Sequence, residues 1–142
     1  IPILEKMIDI IVDFYQYLSG SKNQHLIEEF IKEGKSVLNF TKEISSALQD
    51  GKDQDALNLI QKIMCYFEAV NIILIKSEAS KSKKEANEKI RVEMIELFNQ
   101  CYDSFKTQDI VSVSDIVEYE IAEKLAILID SLKQSAGLAT GE

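Results

Sequence analysis

Apolar residues recur along this chain at steps of three and four, the spacing that gathers one face of an α-helix. Leu4, Met7, Ile11, Phe14 and Leu18 predict a first helix over 3–18, stopped by Ser19-Gly20. Ser21 and Gln24 have capping-box spacing, and Ile27, Phe30, Ile31, Val37, Leu38, Thr41, Ile44 and Leu48 then predict a second helix over about 23–50. Gly34 falls on that apolar face, where glycine costs about 1 kcal/mol against alanine, so a close helix crossing is expected there. Gly51 stops the second helix and the third starts near Asp53, with Ala56, Leu59, Ile60, Ile63, Phe67, Val70 and Leu74 inward.

The stretch Glu78–Lys89 has no large apolar residue and reads as a solvated linker or an exposed helical extension. A fourth helix over about 88–105 places Ile90, Met94, Leu97, Phe98, Cys101, Tyr102 and Phe105 on one side. A fifth, from about 110 to 134, turns Val113, Ile116, Val117, Ile121, Leu125, Leu128 and Leu132 inward. Residues 135–142 read as a frayed tail.

The expected fold is therefore all-α: an antiparallel bundle of four long helices in two hairpins, plus an N-terminal helix. The domain plan is a single unit over 1–142. It comprises the N-terminal helix (1–20), a first hairpin (21–77), a charged connection (78–89), a second hairpin (90–134) and the tail (135–142). An internal echo supports the paired hairpins: Lys52, Gln54 and Asp55 match Lys106, Gln108 and Asp109, each set lying between two apolar stretches. Carboxylates at Asp53, Asp55 and Asp109 suit helix starts, so the echo reads as helix punctuation rather than a duplicated site.

Composition narrows the function. With 142 residues, 46% of them hydrophobic, the chain suits one folded domain. A net charge of −8 and a single arginine, Arg91, argue against nucleic acid as a partner. Cys65 and Cys101 sit within apolar patterns without metal-type spacing and read as reduced core thiols, which fits a cytoplasmic location. No stretch approaches the run of apolar residues expected of a membrane span, so no membrane partner is expected. The opening segment lacks a basic leader and cleavage site, so a signal peptide is not expected; the first residue, Ile1, points to something removed upstream.

Candidate chemistry is thin. Glu93 with Glu96, and Glu120 with Glu123, could hold Mg²⁺ as helical pyrophosphohydrolases do. Yet Glu96 and Glu123 fall nearly opposite their helices' apolar stripes, so solvated faces account for them better. His25 is the only histidine and cannot build a di-iron site or serve a buried cysteine. GKDQDA at 51–56 lacks the glycine spacing of a phosphate loop. Two charged features remain. Lys76, Lys81, Lys83, Lys84, Lys89 and Arg91 form a basic cluster, and residues 109–123 carry Asp109, Asp115, Glu118, Glu120 and Glu123 with no base. They read as a solvated linker and an exposed helix face or, functionally, as complementary docking patches within a dimer or toward a partner.

The string Asp109, Val111, Asp115, Glu118-Tyr119-Glu120-Ile121 and Leu125 within 106–132 resembles the C-terminal helix of small, uncharacterised helical-bundle proteins of Gram-positive bacteria. That resemblance implies a helical hairpin and no assigned activity. In size, acidity and architecture the chain is also similar to flagellar export chaperones, without their sequence signatures. The expected function is a non-enzymatic cytoplasmic bundle without cofactor or metal, acting as a protein-binding or assembly module through an apolar groove or through Asp109, Asp115, Glu118, Tyr119, Glu120, Lys81, Lys83 and Lys84. Its expected partner is another protein or a second copy of the chain, with helix 1 able to support a dimer; the alternative is a Mg²⁺-dependent hydrolase using the paired glutamates.

Overall fold

The computed structural model describes residues 23–77, 81–135 and 137. The predicted helix over 3–18 and the Ser21–Gln24 capping box lie outside them, as do most of the tail and the side chains of His25, Lys76 and Lys81.

Four antiparallel rods make up the described fold. They are α1 (Asn23–Gln49), α2 (Asp53–Ser77), α3 (Lys81–Lys106) and a last rod composed of α4 (Ile110–Asp115), a π turn (Ile116–Ile121) and α5 (Ala122–Ser135). The fold is all-α, as the periodicity predicts. Residues 78–80 lie outside the described residues; over 81–89 the reading as an exposed helical extension holds, because α3 begins at Lys81 and Ser82–Ala86 are exposed on it.

Burial follows the predicted stripes. Ile44, Ile60, Ile63, Phe67, Val70, Met94, Cys101, Val117, Ile121, Leu125, Leu128 and Leu132 are sealed from solvent and form one continuous core. α1 and α2 pack most extensively on each other, the last rod lies against all three other helices, and α3 meets α2 along a shorter line. Pairs of rings stitch α2 to its neighbours: Phe30 stacks on Tyr66 with centroids 5.5 Å apart, and Phe67 meets Phe98 at 5.9 Å. By length and composition α2 is long and apolar enough to cross a membrane, which corrects the expectation that no stretch approaches a span. Most of it is buried in the bundle.

The predicted close crossing occurs at Gly34. A Cβ there would sit 2.7 Å from Ile129 Cδ1 and 2.9 Å from the Tyr66 hydroxyl. That hydroxyl donates to the Phe30 carbonyl at 2.6 Å, so the missing side chain lets three helices share one point.

Both hairpin turns have the same hydrogen-bond plan. Gly51, at φ 74°, donates to Leu48 O (3.2 Å) while Lys52 donates to Ala47 O (2.8 Å). Gln108, at φ 59°, donates to Phe105 O (3.1 Å) while Asp109 donates to Ser104 O (2.8 Å). These are paired Schellman caps with the left-handed residue just past the helix end. Gly51 thus corresponds to Gln108 and Lys52 to Asp109, whereas the sequence echo aligns Lys52 with Lys106. The repeat exists at the turns, three positions out of register with the residues that suggested it.

Candidate functional site

The acidic stretch predicted as a contact surface falls on the first half of the last rod. Asp109 caps it: Ser112 donates its N–H to Oδ1 at 3.1 Å and its hydroxyl to Oδ2 at 2.6 Å. The side-chain bond and then the backbone bond from Ser112 hold the Asp109 carboxyl below its usual range. The punctuation reading is right for this residue. Asp53 and Asp55 lie in the first turn of α2, where negative charge complements the helix dipole.

Beyond the cap, the core residues Val113, Val117, Ile121 and Leu125 step by four three times in succession. In a pure α-helix each four-residue step rotates by about 40°, so the run would turn out of the core by about 120°. The π turn absorbs that drift, because it winds at roughly 4.4 residues per turn through i→i+5 bonds. Ala122 N–H donates to Val117 O in that way.

The same unwinding acts on the outside. Val111, Asp115, Tyr119 and Glu123 also step by four and are all exposed, so they form one outward line. Val111 is 71% and Tyr119 67% exposed. Glu118, half-buried, and Glu120, exposed, fall on either side of Tyr119. Glu120 also helps raise the Cys101 thiol to about 12, second to the effect of burial.

The basic candidates are elsewhere. Lys81, Lys83 and Lys84 lie in the first turn of α3. α3 runs antiparallel to the last rod, with Lys124 Nζ bonded to Glu93 across the seam and Glu120 near Cys101. The first turn of α3 is therefore level with the end of α5. The basic set and the Asp109–Glu120 set occupy opposite ends of the bundle and do not form one site in a protomer.

The paired glutamates are not gathered. Lys124 engages Glu93 and holds its carboxyl below the usual range, chiefly by the hydrogen bond, while Glu96, Glu120 and Glu123 face solvent. Among the described residues no group of three His, Cys, Asp or Glu side chains is placed to hold a metal ion. Both cysteines are free thiols; Cys101 is buried and Cys65 half-buried.

Comparison with known families is decisive on one point. A family model matches residues 25–131, a span that takes in nearly all of the four rods. The chain belongs to the family described as a domain of unknown function, DUF8042. No curated protein and no solved structure matches it. The DUF8042 match begins at residue 25, so the predicted helix over 3–18 lies outside it, while the whole line from Val111 to Glu123 lies within it.

The residues that sequence reasoning passes over are Val111 as an exposed apolar anchor, Lys124 as the partner of Glu93, and Asn71. Asn71 is buried at the α2–α3 seam, and its Nδ2 has no hydrogen-bond partner among the described residues. The four-residue spacing of 113, 117, 121 and 125 is the signal for the π turn, and hence for the outward line.

Proposed function

We propose that this DUF8042 domain is a non-enzymatic protein-binding module whose contact surface is the outward line of its last rod. The observation that supports this reading is the pairing of Val111 and Tyr119, two large and strongly exposed apolar side chains, on one line. Around them lie Asp109, Asp115, Glu118, Glu120 and Glu123, with no base between 107 and 123. Aromatic and aliphatic anchors bordered by charge are the usual composition of a binding hot spot with a polar rim. The partner surface this chemistry fits is an apolar patch bordered by lysine and arginine.

The π turn adds to the case, since such turns are rare and recur at functional sites. Two free thiols fit a reducing, cytoplasmic setting. The string from Asp109 to Leu125 supports kinship with bundle proteins of Gram-positive bacteria.

The test is comparative capture. Full-length protein immobilised at physiological salt is set beside Tyr119→Ser and Val111→Ser variants matched for helicity by circular dichroism. The reading expects at least one protein retained by the parent and lost from both variants. Identical retention on all three refutes it.

A further inference from the structure

Where the end of α2 passes the start of α3, a pocket of about 230 Å³ lies between the two helices. Asn71, Leu74 and Ile75 form its α2 wall, at the i, i+3 and i+4 spacing of one helix face. Lys84, Glu88 and Arg91 form its α3 wall, again in steps of four and three. One wall is thus an amide beside two aliphatic side chains, and the other is charged. Both hairpin turns lie at the other end of the bundle, so the pocket is separate from the outward line that starts at Val111.

Three features of these walls specify an occupant. The first is Asn71, which is 5% exposed and whose Nδ2 has no acceptor among the described residues. An amide N–H withdrawn from water and left unpaired is costly, and a ligand that brings an acceptor oxygen relieves that cost. The second is charge. Lys84 and Arg91 stand against Glu88 as the only carboxylate in the two walls, which leaves a positive balance. Arg91 Nη1 donates to Glu88 at 3.3 Å in an exposed bond that uses one of the five guanidinium N–H donors. Asn87, half-buried, adds a second amide to the α3 wall.

The third feature is the aliphatic pair. Leu74 is buried and Ile75 is exposed, so a hydrocarbon tail laid on them covers surface that water now touches. Volume sets the size: at about 30 Å³ for each water-sized group, the pocket holds roughly seven or eight non-hydrogen atoms.

We propose that this pocket binds a short-chain aliphatic monocarboxylate, its carboxylate held by Asn71 Nδ2, Arg91 and Lys84 and its tail on Leu74 and Ile75. A planar guanidinium matches the two carboxylate oxygens, and each oxygen can accept a further bond from the amide or the ammonium. Inorganic phosphate offers the same charge without a tail and leaves the aliphatic pair uncovered.

The test is a heteronuclear NMR titration of the full chain with sodium hexanoate, a probe of the right size, near neutral pH and at constant ionic strength. The expected result is a saturable shift of the Asn71 side-chain amide, half-complete at about 1 mM or below. Arg91→Gln and Asn71→Leu, read on the Ile75 backbone amide, should each weaken binding about tenfold, as loss of a charge-assisted or buried hydrogen bond does. Asn71→Leu removes the unpaired amide and should melt no lower than the parent, so weakened binding does not report a damaged fold. Acetate, which lacks the tail, and hexanol, which lacks the charge, should bind at least tenfold more weakly. Acetate, hexanol or inorganic phosphate binding as tightly as hexanoate overturns the ligand assignment. Affinity unchanged in Arg91→Gln or Asn71→Leu overturns the geometry, and no saturable shift at Asn71 up to about 20 mM hexanoate overturns the site itself.

Discussion

Replacing Gly34 by alanine sets two opposed effects against each other. In an exposed helix the change stabilises by about 1 kcal/mol, because glycine is the poorer helix former. Here the new methyl would lie 2.7 and 3.0 Å from Ile129 Cδ1 and Cγ1 and 2.9 Å from the Tyr66 hydroxyl. Ile129 is buried, and the Tyr66 hydroxyl is held by its 2.6 Å bond to Phe30 O, so neither neighbour withdraws freely. Overpacking of this kind costs about 1–3 kcal/mol, and loss of a buried hydrogen bond adds about 1–3 kcal/mol if Tyr66 is pushed off its acceptor. The expected net change is a destabilisation of about 1–3 kcal/mol. Urea unfolding followed by circular dichroism should show a lower midpoint at constant slope. Ile129→Val removes the closest atom and by itself costs about 0.5–1.5 kcal/mol. Combined with Gly34→Ala it should show a favourable coupling of about 1 kcal/mol. A Gly34→Ala protein more stable than its parent, or strict additivity with Ile129→Val, would refute the three-helix contact.

The two Schellman turns make a matched pair of expectations: Gln108→Gly should stabilise by about 0.5–1 kcal/mol and Gly51→Ala destabilise by about 1 kcal/mol, both read from thermal melts. A Cβ added at Gly51 would meet nothing within 4 Å, so its effect reports backbone conformation alone. Ser45 Oγ is buried without a partner among the described residues, and Ser45→Ala should stabilise by about 1 kcal/mol in the same assay. Burial, then Glu120, raises Cys101 from 9.0 to about 12, and burial, then Glu33, raises Tyr66 above its ordinary value. The protonated forms are the ones the fold favours. Their contribution is complete below about pH 9 and is lost as pH rises toward 12, at up to about 1.4 kcal/mol per pH unit for Cys101. Melting temperature should therefore fall above pH 9, with a shallower fall in Cys101→Ala; a flat profile to pH 11 contradicts this.

The helices were legible in the sequence because burial imposes a period on each of them. The stripes of α1 and α2 and the crossing at Gly34 lie where that period puts them. The start of α3 is blurred for the complementary reason: Lys81–Lys89 form helix without burying a large apolar face, so no period marks them. The turns show how local identity misleads. Lys52 and Lys106 look equivalent, yet the left-handed residues at Gly51 and Gln108 fix the structural register, and only one of these is a glycine. The π turn is invisible to a 3.6-residue template, although its trace lies in the uninterrupted four-residue steps through Val113, Val117, Ile121 and Leu125. Asn71 cannot be singled out from sequence, because its unpaired amide is a property of the α2–α3 seam rather than of its neighbours in the chain.

The central claim is the contact surface proposed on the last rod of this DUF8042 domain, and hydrogen exchange of a complex with a captured protein tests it most directly. The account predicts slowed exchange over 110–123, with α1 unchanged. Protection confined to α1 or to the α2–α3 seam, with 110–123 exchanging as in the free protein, would contradict it.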